Sequence, residues 1–178
     1  MTAPAPRPHR LLPSLGWLLA LLLVLVHAPV HAAGELEAKI KAAYVFHVLK
    51  FVEWPGAAAE PLRLCVTGTD AVAQLLAELN GKQIKDRPLR VDLAPGADLS
   101  GCHALFIGRS ERRWQDTLAR LRGGVLTVSD ADGFAAGGGI VGFLSENGRI
   151  KLDINPEAAR QANLKISAKL LELARTVQ

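Results

Sequence analysis

The sequence of 178 residues is poor in the side chains that most often carry out chemistry. Aromatic residues make up 5% of it, and it has one tyrosine, one methionine, two cysteines and five histidines. Only His47 and His103 lie beyond residue 32. No His-x-His or Cys-x-x-Cys motif accompanies the adjacent Cys102 and His103, which argues against a metal centre. The absence of a Gly-x-Ser-x-Gly motif argues against a hydrolase built on that turn.

The sequence also has no large excess of positive or negative charge. The chain has 21 Lys and Arg against 17 Asp and Glu, a formal net charge of +4. The basic residues alternate with acidic and apolar ones along the sequence, whereas nucleic-acid binding calls for a dense basic face. We therefore predict no nucleic-acid partner, no catalytic residues, no metal and no cofactor.

Long hydrophobic runs are also missing, except near the N-terminus. Arg7 and Arg10 precede an apolar stretch from Leu15 to Val26, and Val30-His31-Ala32 follows with modest side chains where a signal peptidase cleaves. This three-part pattern is typical of a secretory signal peptide, so we predict a signal peptide over residues 1–32 and cleavage near Ala32. The alternative is a membrane anchor, which needs about 20 apolar residues and reaches that length only across two prolines and a histidine.

Residues 33–178 have a suitable length for one domain. The first part of this domain has the spacing of apolar residues that is typical of an amphipathic helix. Residues 35–52 are predicted to form a helix with lysines on or near its polar side. Because His47 falls on the apolar stripe, we expect a packed core histidine there rather than a ligand. The residues predicted to face the core are Leu36, Ile40, Tyr44, His47 and Phe51.

Short apolar segments alternate with helical segments through the rest of the chain. Segments near residues 62–67, 89–93, 104–107 and 125–128 resemble strands. Their alternation with helices predicts an α/β fold, with a mostly parallel sheet flanked by helices in a Rossmann or flavodoxin-like three-layer arrangement. Asn147-Gly148 between two further apolar segments predicts a C-terminal antiparallel β-hairpin. The preceding Gly137-Gly138-Gly139 is interpreted as a flexible entry to that hairpin, because it lacks the Lys-Ser/Thr of a phosphate loop.

Cys65 and Cys102 form an even pair in a chain that is predicted to be exported. Cys65 lies in the first strand of the series and Cys102 lies just before the third. A sheet order that places those strands side by side, as in flavodoxin-like folds, makes a disulfide geometrically reasonable. The alternative is two buried free thiols.

Polar residues follow three of the predicted parallel strands. In open α/β sheets, ligands bind beyond the carboxyl ends of the strands. A small polar ligand is therefore one prediction for these residues, and simple helix capping is the alternative. The residues concerned are Thr69, Asp70, Arg109, Ser110, Ser129 and Asp130.

An ordered set of short motifs resembles the YfiR-like family of periplasmic proteins. The set spans roughly residues 38–177, and it is the order of the motifs rather than any single one that is specific. The motifs are Lys41-Ala42-Ala43-Tyr44, Lys50-Phe51-Val52-Glu53-Trp54-Pro55, Leu64-Cys65-Val66, Gly101-Cys102-His103, Leu105-Phe106-Ile107-Gly108, Leu126-Thr127-Val128-Ser129-Asp130, Phe134, Gly138-Gly139-Ile140, Ile154-Asn155 and Leu164-Lys165-Ile166-Ser167.

The resemblance implies a small α/β domain over residues 33–178 and a structural disulfide between Cys65 and Cys102. It also implies a periplasmic repressor that binds the sensor region of an inner-membrane diguanylate cyclase or another membrane sensor. Such a protein keeps cyclic di-GMP, and hence biofilm formation, low. A homodimer and sequestration by an outer-membrane lipoprotein are implied as well.

Aromatic and arginine side chains are the common anchors of protein interfaces. On that ground, the residues predicted to contact a partner are Trp54, Arg112, Arg113, Trp114 and Phe134. The two tryptophans could equally belong to the core, and Phe134 either plugs the end of the sheet or contacts the partner. The competing functions are a periplasmic small-molecule sensor that uses the polar strand ends and an unrecognised exported enzyme.

Overall fold

The computed structural model describes residues 29–55, 61–93 and 99–176. The chain divides into two compact units, Met1–Gly34 and Glu35–Gln178, and only a stretch of helical backbone is described for the first. The predicted signal peptide therefore lies almost wholly outside the described residues. None of the helices in the described ranges has the length and apolarity needed to span a bilayer.

Short helices and strands alternate along the described chain. The helices are α1 (Pro29–Lys50), α2 (Ala71–Leu76), α3 (Trp114–Arg120), α4 (Pro156–Gln161) and α5 (Ala168–Glu172), with a 3₁₀ turn at Ala77–Leu79. The strands are β1 (Val52–Glu53), β2 (Leu62–Thr67), β3 (Gln83–Ile84), β4 (Arg87–Leu93), β5 (Ala104–Ile107), β6 (Leu126–Ser129), β7 (Val141–Glu146), β8 (Arg149–Ile154), β9 (Lys165–Ile166) and β10 (Arg175–Thr176).

Eight of these strands form one sheet in the order β10-β8-β7-β6-β5-β2-β4-β3. Five adjacent strands of this sheet, β4, β2, β5, β6 and β7, run parallel to one another. Strands β7 and β8 form an antiparallel hairpin. Asn147 and Gly148 have the positive φ angles that such a tight turn requires. The predicted α/β class, the mostly parallel sheet and the C-terminal hairpin are therefore confirmed.

Three short pairings were not predicted from the sequence. Strand β3 adds an antiparallel edge to β4, β1 pairs with β9 in a separate small sheet, and β10 pairs with β8. Helix α5 ends at Glu172, and the chain then turns to pair with β8. The guanidinium of Arg175 fixes this end through hydrogen bonds of 2.8 and 2.9 Å to the carboxylate of Asp153.

The sheet separates two hydrophobic layers. Along β5, Ala104 and Phe106 face a larger core that includes residues of α1, α2, α4 and α5. Leu105 and Ile107 face a smaller core that includes Trp114 of α3. This alternation is the period-two pattern of a strand buried on both faces, and it gives the predicted three-layer arrangement.

Helix α1 buries a different face from the one predicted. Leu36, Ile40 and Tyr44 are 60%, 38% and 36% exposed, and His47 is also exposed. The prediction that His47 belongs to the core is therefore wrong. A second set of residues with helical spacing packs on the sheet instead, and its small alanines allow close approach of the helix. That buried set is Ala38, Lys41, Ala42, Val45, Val48 and Leu49.

Cys65 and Cys102 form a disulfide with their Cα atoms 5.8 Å apart. Strands β2 and β5 are neighbours, as the disulfide prediction required, with Cys65 opposite Leu105 in the register. The bridge lies in the smaller core beside Leu105 and Trp114.

We expect a Cys65→Ala/Cys102→Ala variant to lose about 3–4 kcal/mol of unfolding free energy, because the bridge closes a long loop in the unfolded chain. Urea denaturation of the variant and of the oxidised wild type measures the difference. A reduced wild type should match the variant. Equal stability of all three would show that packing alone fixes β2 against β5.

Candidate functional site

The carboxyl ends of β5 and β6 carry a buried ion pair. Asp130, directly after β6, is 5% exposed, and Lys41 of α1 is 4% exposed. The Lys41 Nζ lies 3.1 Å from Asp130 Oδ2 and 2.8 Å from Glu37 Oε1. Lys41 was expected on or near the polar side of its helix, and the structure corrects that expectation, because the lysine is turned toward the sheet and pairs with Asp130.

Arg109 and Ser129 complete the hydrogen bonding around this pair. The backbone amide of Arg109 donates to Asp130 Oδ1 at 3.0 Å, and the side-chain Nε of Arg109 donates to the backbone carbonyl of Asp130 at 3.1 Å. Ser129 Oγ donates to the Ile107 carbonyl and accepts from the Ala131 amide. The side chains predicted to meet a ligand at β5 and β6 are thus engaged in fixing the loop that follows β6.

Asp70 and Ser110 meet at the neighbouring strand ends, after β2 and β5. Asp70 Oδ1 caps α2 by accepting from the Ala73 amide, and Ser110 Oγ accepts from the Thr69 amide. Asp70 Oδ2 lies close to Gly68 and Gly108 and has no hydrogen-bond partner within the described chain. Helix capping therefore explains the position of Asp70 Oδ1. Asp70 Oδ2 remains an unused hydrogen-bond acceptor at the carboxyl ends of the strands, where a ligand was predicted.

Two of the five residues predicted to contact a partner are buried. Trp114 is 8% exposed and Phe134 is 1% exposed, and their ring centroids are 5.1 Å apart. Of the alternatives left open for these two residues, partner contact and core packing, the structure shows core packing, because the rings pack on each other in the smaller core. Gly137 and Gly139 permit this packing, since a Cβ at either position would collide with one of the two rings.

The remaining three predicted contact residues differ in accessibility. Trp54 is half-buried, and its indole N–H donates to the His103 carbonyl at 2.8 Å, which ties the end of α1 to the start of β5. Arg112 and Arg113 are exposed just before α3. Of the predicted set, only these two arginines are fully available to another molecule.

An exposed apolar surface lies on the α1 side of the sheet, and it was not predicted from the sequence. We call it the apolar stripe and define it as Leu36, Ile40, Tyr44 and Leu173. These are four of the five large hydrophobic residues that are strongly exposed in the described chain, the fifth being Leu93. A groove of about 300 Å³ continues the stripe between Tyr44 and Leu173.

Aromatic and aliphatic side chains line this groove. Phe51 of the turn after α1, Ile150 and Leu152 of β8, and Leu170 of α5 form its walls, and Lys151 and His47 are its polar members. A clustered apolar surface of this kind is typical of a site for another molecule. Ile150 and Leu152 alternate with charged residues along β8, which is a local sign of one apolar face, but nothing local shows that part of this face lines an open groove.

The described residues contain no group of three or more His, Cys, Asp or Glu side chains arranged to hold a metal ion. The structure does place three features around the sheet: the apolar stripe on one side, exposed arginines on the other, and a buried ion pair at the strand ends.

The buried ion pair makes a sharp prediction for stability. Lys41→Met removes the closer of the two cations beside the buried Asp130 carboxylate and leaves only the exposed Arg109 side chain, whose Nε lies 4.0 Å away, so we expect it to cost about 3–5 kcal/mol of unfolding free energy. Lys41→Met/Asp130→Asn should recover most of that loss, because an amide still accepts from Arg109.

Lys39→Met is the matched control for urea denaturation of these variants. Lys39 pairs with Glu35 on the exposed surface of the same helix, and we expect a change below about 0.5 kcal/mol. Equal losses for Lys39→Met and Lys41→Met would show that the buried pair contributes nothing beyond a surface pair.

The comparison with known families covers most of the chain. No curated protein matches it. The model of the YfiR/HmsC-like family matches residues 38–175, which include every described strand and helix from the body of α1 to β10. The disulfide, the α/β sheet and the ordered motifs all fall within this match. The chain therefore belongs to the YfiR/HmsC-like family.

Proposed function

We propose that this protein is an exported periplasmic regulator that binds the periplasmic sensor region of an inner-membrane diguanylate cyclase and represses it, which lowers cyclic di-GMP. The observation that carries the proposal is the family match over residues 38–175. The family is one of periplasmic regulatory proteins rather than enzymes. The absence of catalytic motifs from the sequence agrees with that role.

Repression by binding needs a difference in affinity between two states of the partner. A regulator that binds the inactive and active states equally well shifts nothing, and each tenfold preference corresponds to about 1.4 kcal/mol. A rigid binding surface keeps such a preference from being lost to rearrangement. The Cys65–Cys102 disulfide and the Lys41–Asp130 ion pair supply that rigidity on the two sides of the sheet.

The apolar stripe is the surface that best suits a protein partner. Tyr44 offers an aromatic ring beside a groove, and Leu36 and Leu173 are exposed by 60% and 72%. Buried aromatic and aliphatic anchors contribute most of the free energy of protein association. Arg112 and Arg113 lie on the other side of the sheet, so they contact a different surface from the one that covers the stripe.

The resemblance adds two further partners to this proposal. A homodimer would cover part of the exposed surface in the absence of the cyclase. An outer-membrane lipoprotein that sequesters the protein would lift repression by removing the free regulator, which is mass action rather than a change of fold.

A second candidate function is small-molecule sensing at the strand ends, and one observation favours it. Asp70 Oδ2 is a buried acceptor without a hydrogen-bond partner in the described residues, close to Gly68, Gly108 and Ser110. Buried acceptors are normally satisfied, so a ligand or water with a donor group suits this position. This candidate is compatible with a regulator whose repression responds to a ligand.

An in-frame deletion tests the proposed function directly. We expect cellular cyclic di-GMP to rise on deletion and to fall again when the exported form is restored. A form that lacks residues 1–32 and remains in the cytoplasm is the control, because it cannot reach a periplasmic sensor region and should not restore repression. Unchanged cyclic di-GMP in the deletion strain under several growth conditions would contradict the proposal.

The apolar stripe gives a second test in the same strain. Leu36→Asp/Leu173→Asp places charges where a partner would exclude water, so we expect repression to be lost while the thermal unfolding temperature stays near that of the wild type. Leu93→Asp is the matched control, since Leu93 is 52% exposed and lies outside the stripe. Full repression by the stripe variant would rule out this surface.

A further inference from the structure

Beyond residue 32, the net positive charge lies in one short segment, in which acidic and apolar residues are interspersed with arginines. Residues 109–122 contain five arginines, two acidic residues and no lysine. Elsewhere beyond residue 32, acidic residues outnumber basic ones by one, so this segment accounts for the whole positive net charge there. We call it the arginine face. Its members are Arg109, Arg112, Arg113, Arg120 and Arg122.

Helix α3 and its flanking turns place this charge on the outside of the smaller core. Trp114 and Thr117 are buried on the inner side of the helix, and Leu118 packs beside them. Arg112, Arg113, Arg120 and Arg122 are exposed, and none of the four forms an ion pair with a carboxylate in the described ranges. The side chain of Arg109 is 55% exposed and lies 3.7 Å from Asp132.

The composition of the arginine face suits phosphate better than a protein surface. A guanidinium presents a planar pair of donors that binds phosphate oxygens bidentately. Arginine also anchors specific protein interfaces, but there it accompanies an apolar centre with aromatic residues. The large apolar side chains of α3, Trp114 and Leu118, pack on the smaller core, and the apolar stripe lies on the α1 side of the sheet.

We propose that the arginine face docks the exported protein on the anionic phospholipid headgroups of a membrane. Contact with the bilayer on this side leaves the apolar stripe, on the opposite side of the sheet, open to a protein partner. The docking also raises the local concentration of the regulator next to any membrane-bound partner. The proposal requires export, but it does not require that the partner be a diguanylate cyclase.

The expected binding is weak and sensitive to salt. Each basic residue near an anionic surface strengthens adsorption by about fivefold, and Glu111 and Asp116 offset part of that gain. Exposed charges are screened over about 10 Å at ordinary ionic strength. Such reversible adsorption suits a protein that must also diffuse to other partners.

Co-sedimentation with vesicles tests the proposal. The exported form, purified from the periplasm, is mixed with vesicles of equal parts phosphatidylethanolamine and phosphatidylglycerol, or of phosphatidylethanolamine and phosphatidylcholine. We expect binding to the anionic vesicles alone, lost at high salt. Arg112→Ser/Arg113→Ser/Arg120→Ser should weaken it by about a hundredfold.

A matched variant controls for net charge. Arg149→Ser/Lys165→Ser/Lys169→Ser removes the same charge from exposed positions outside the arginine face, and we expect binding within a few-fold of the wild type. Thermal unfolding of both variants verifies that each is folded. Equal loss in the two variants, or no binding to anionic vesicles by the wild type, would overturn the proposal.

Two further results would show that the arginines bind something other than a lipid surface. Stronger displacement by inorganic phosphate than by chloride at equal ionic strength would indicate a single-anion site and overturn docking on a lipid surface. Loss of repression in cells by the α3 variant, without vesicle binding by the wild type, would identify an acidic protein as the contact and also overturn it. The vesicle and phosphate measurements do not depend on whether deletion of the protein raises cyclic di-GMP.

Discussion

The ion pair between Lys41 and Asp130 is the interaction on which the rest of the arrangement depends. It joins the first helix to the loop after β6, and both side chains are almost fully buried. A buried charge without its partner is costly, so this pair strongly favours one rotation of the helix about its axis. That rotation buries Ala38 and Ala42 against the sheet, and it leaves Leu36, Ile40 and Tyr44 outside.

A different set of contacts stabilises the opposite side of the sheet. Helix α3 packs there over the small core that holds the Cys65–Cys102 bridge, and the tilted rings of Trp114 and Phe134 pack together in that core. Trp114 and Leu118 of α3 pack inward, and the exposed positions of the helix and its flanking turns include four arginines. The two sides of the sheet thus differ chemically: one exposes hydrocarbon and the other exposes guanidinium groups.

This asymmetry gives the molecule two separate surfaces for two kinds of contact. The apolar stripe suits a protein whose binding removes water from leucine and tyrosine side chains. The arginine face suits phosphate, which needs charge and planar donors rather than desolvation. A regulator that works beside a membrane benefits from both, since one surface holds it near the bilayer and the other meets the protein that it controls.

The sequence by itself determined the α/β class, the hairpin at Asn147-Gly148 and the family, because these depend on local periodicity, turn chemistry and motif order. Capping by Asp70 was one of the two readings that the sequence left open. Only the tertiary structure decided which of two helical stripes in α1 is buried, since both have the same period and one contains a lysine whose partner lies 89 positions away. It likewise decided that Trp114 and Phe134 are core residues, because an aromatic residue in a polar segment gives no local sign of what packs against it. Contacts between charges or rings that are distant in the sequence form only in the folded protein, so no short stretch of neighbouring residues can reveal them.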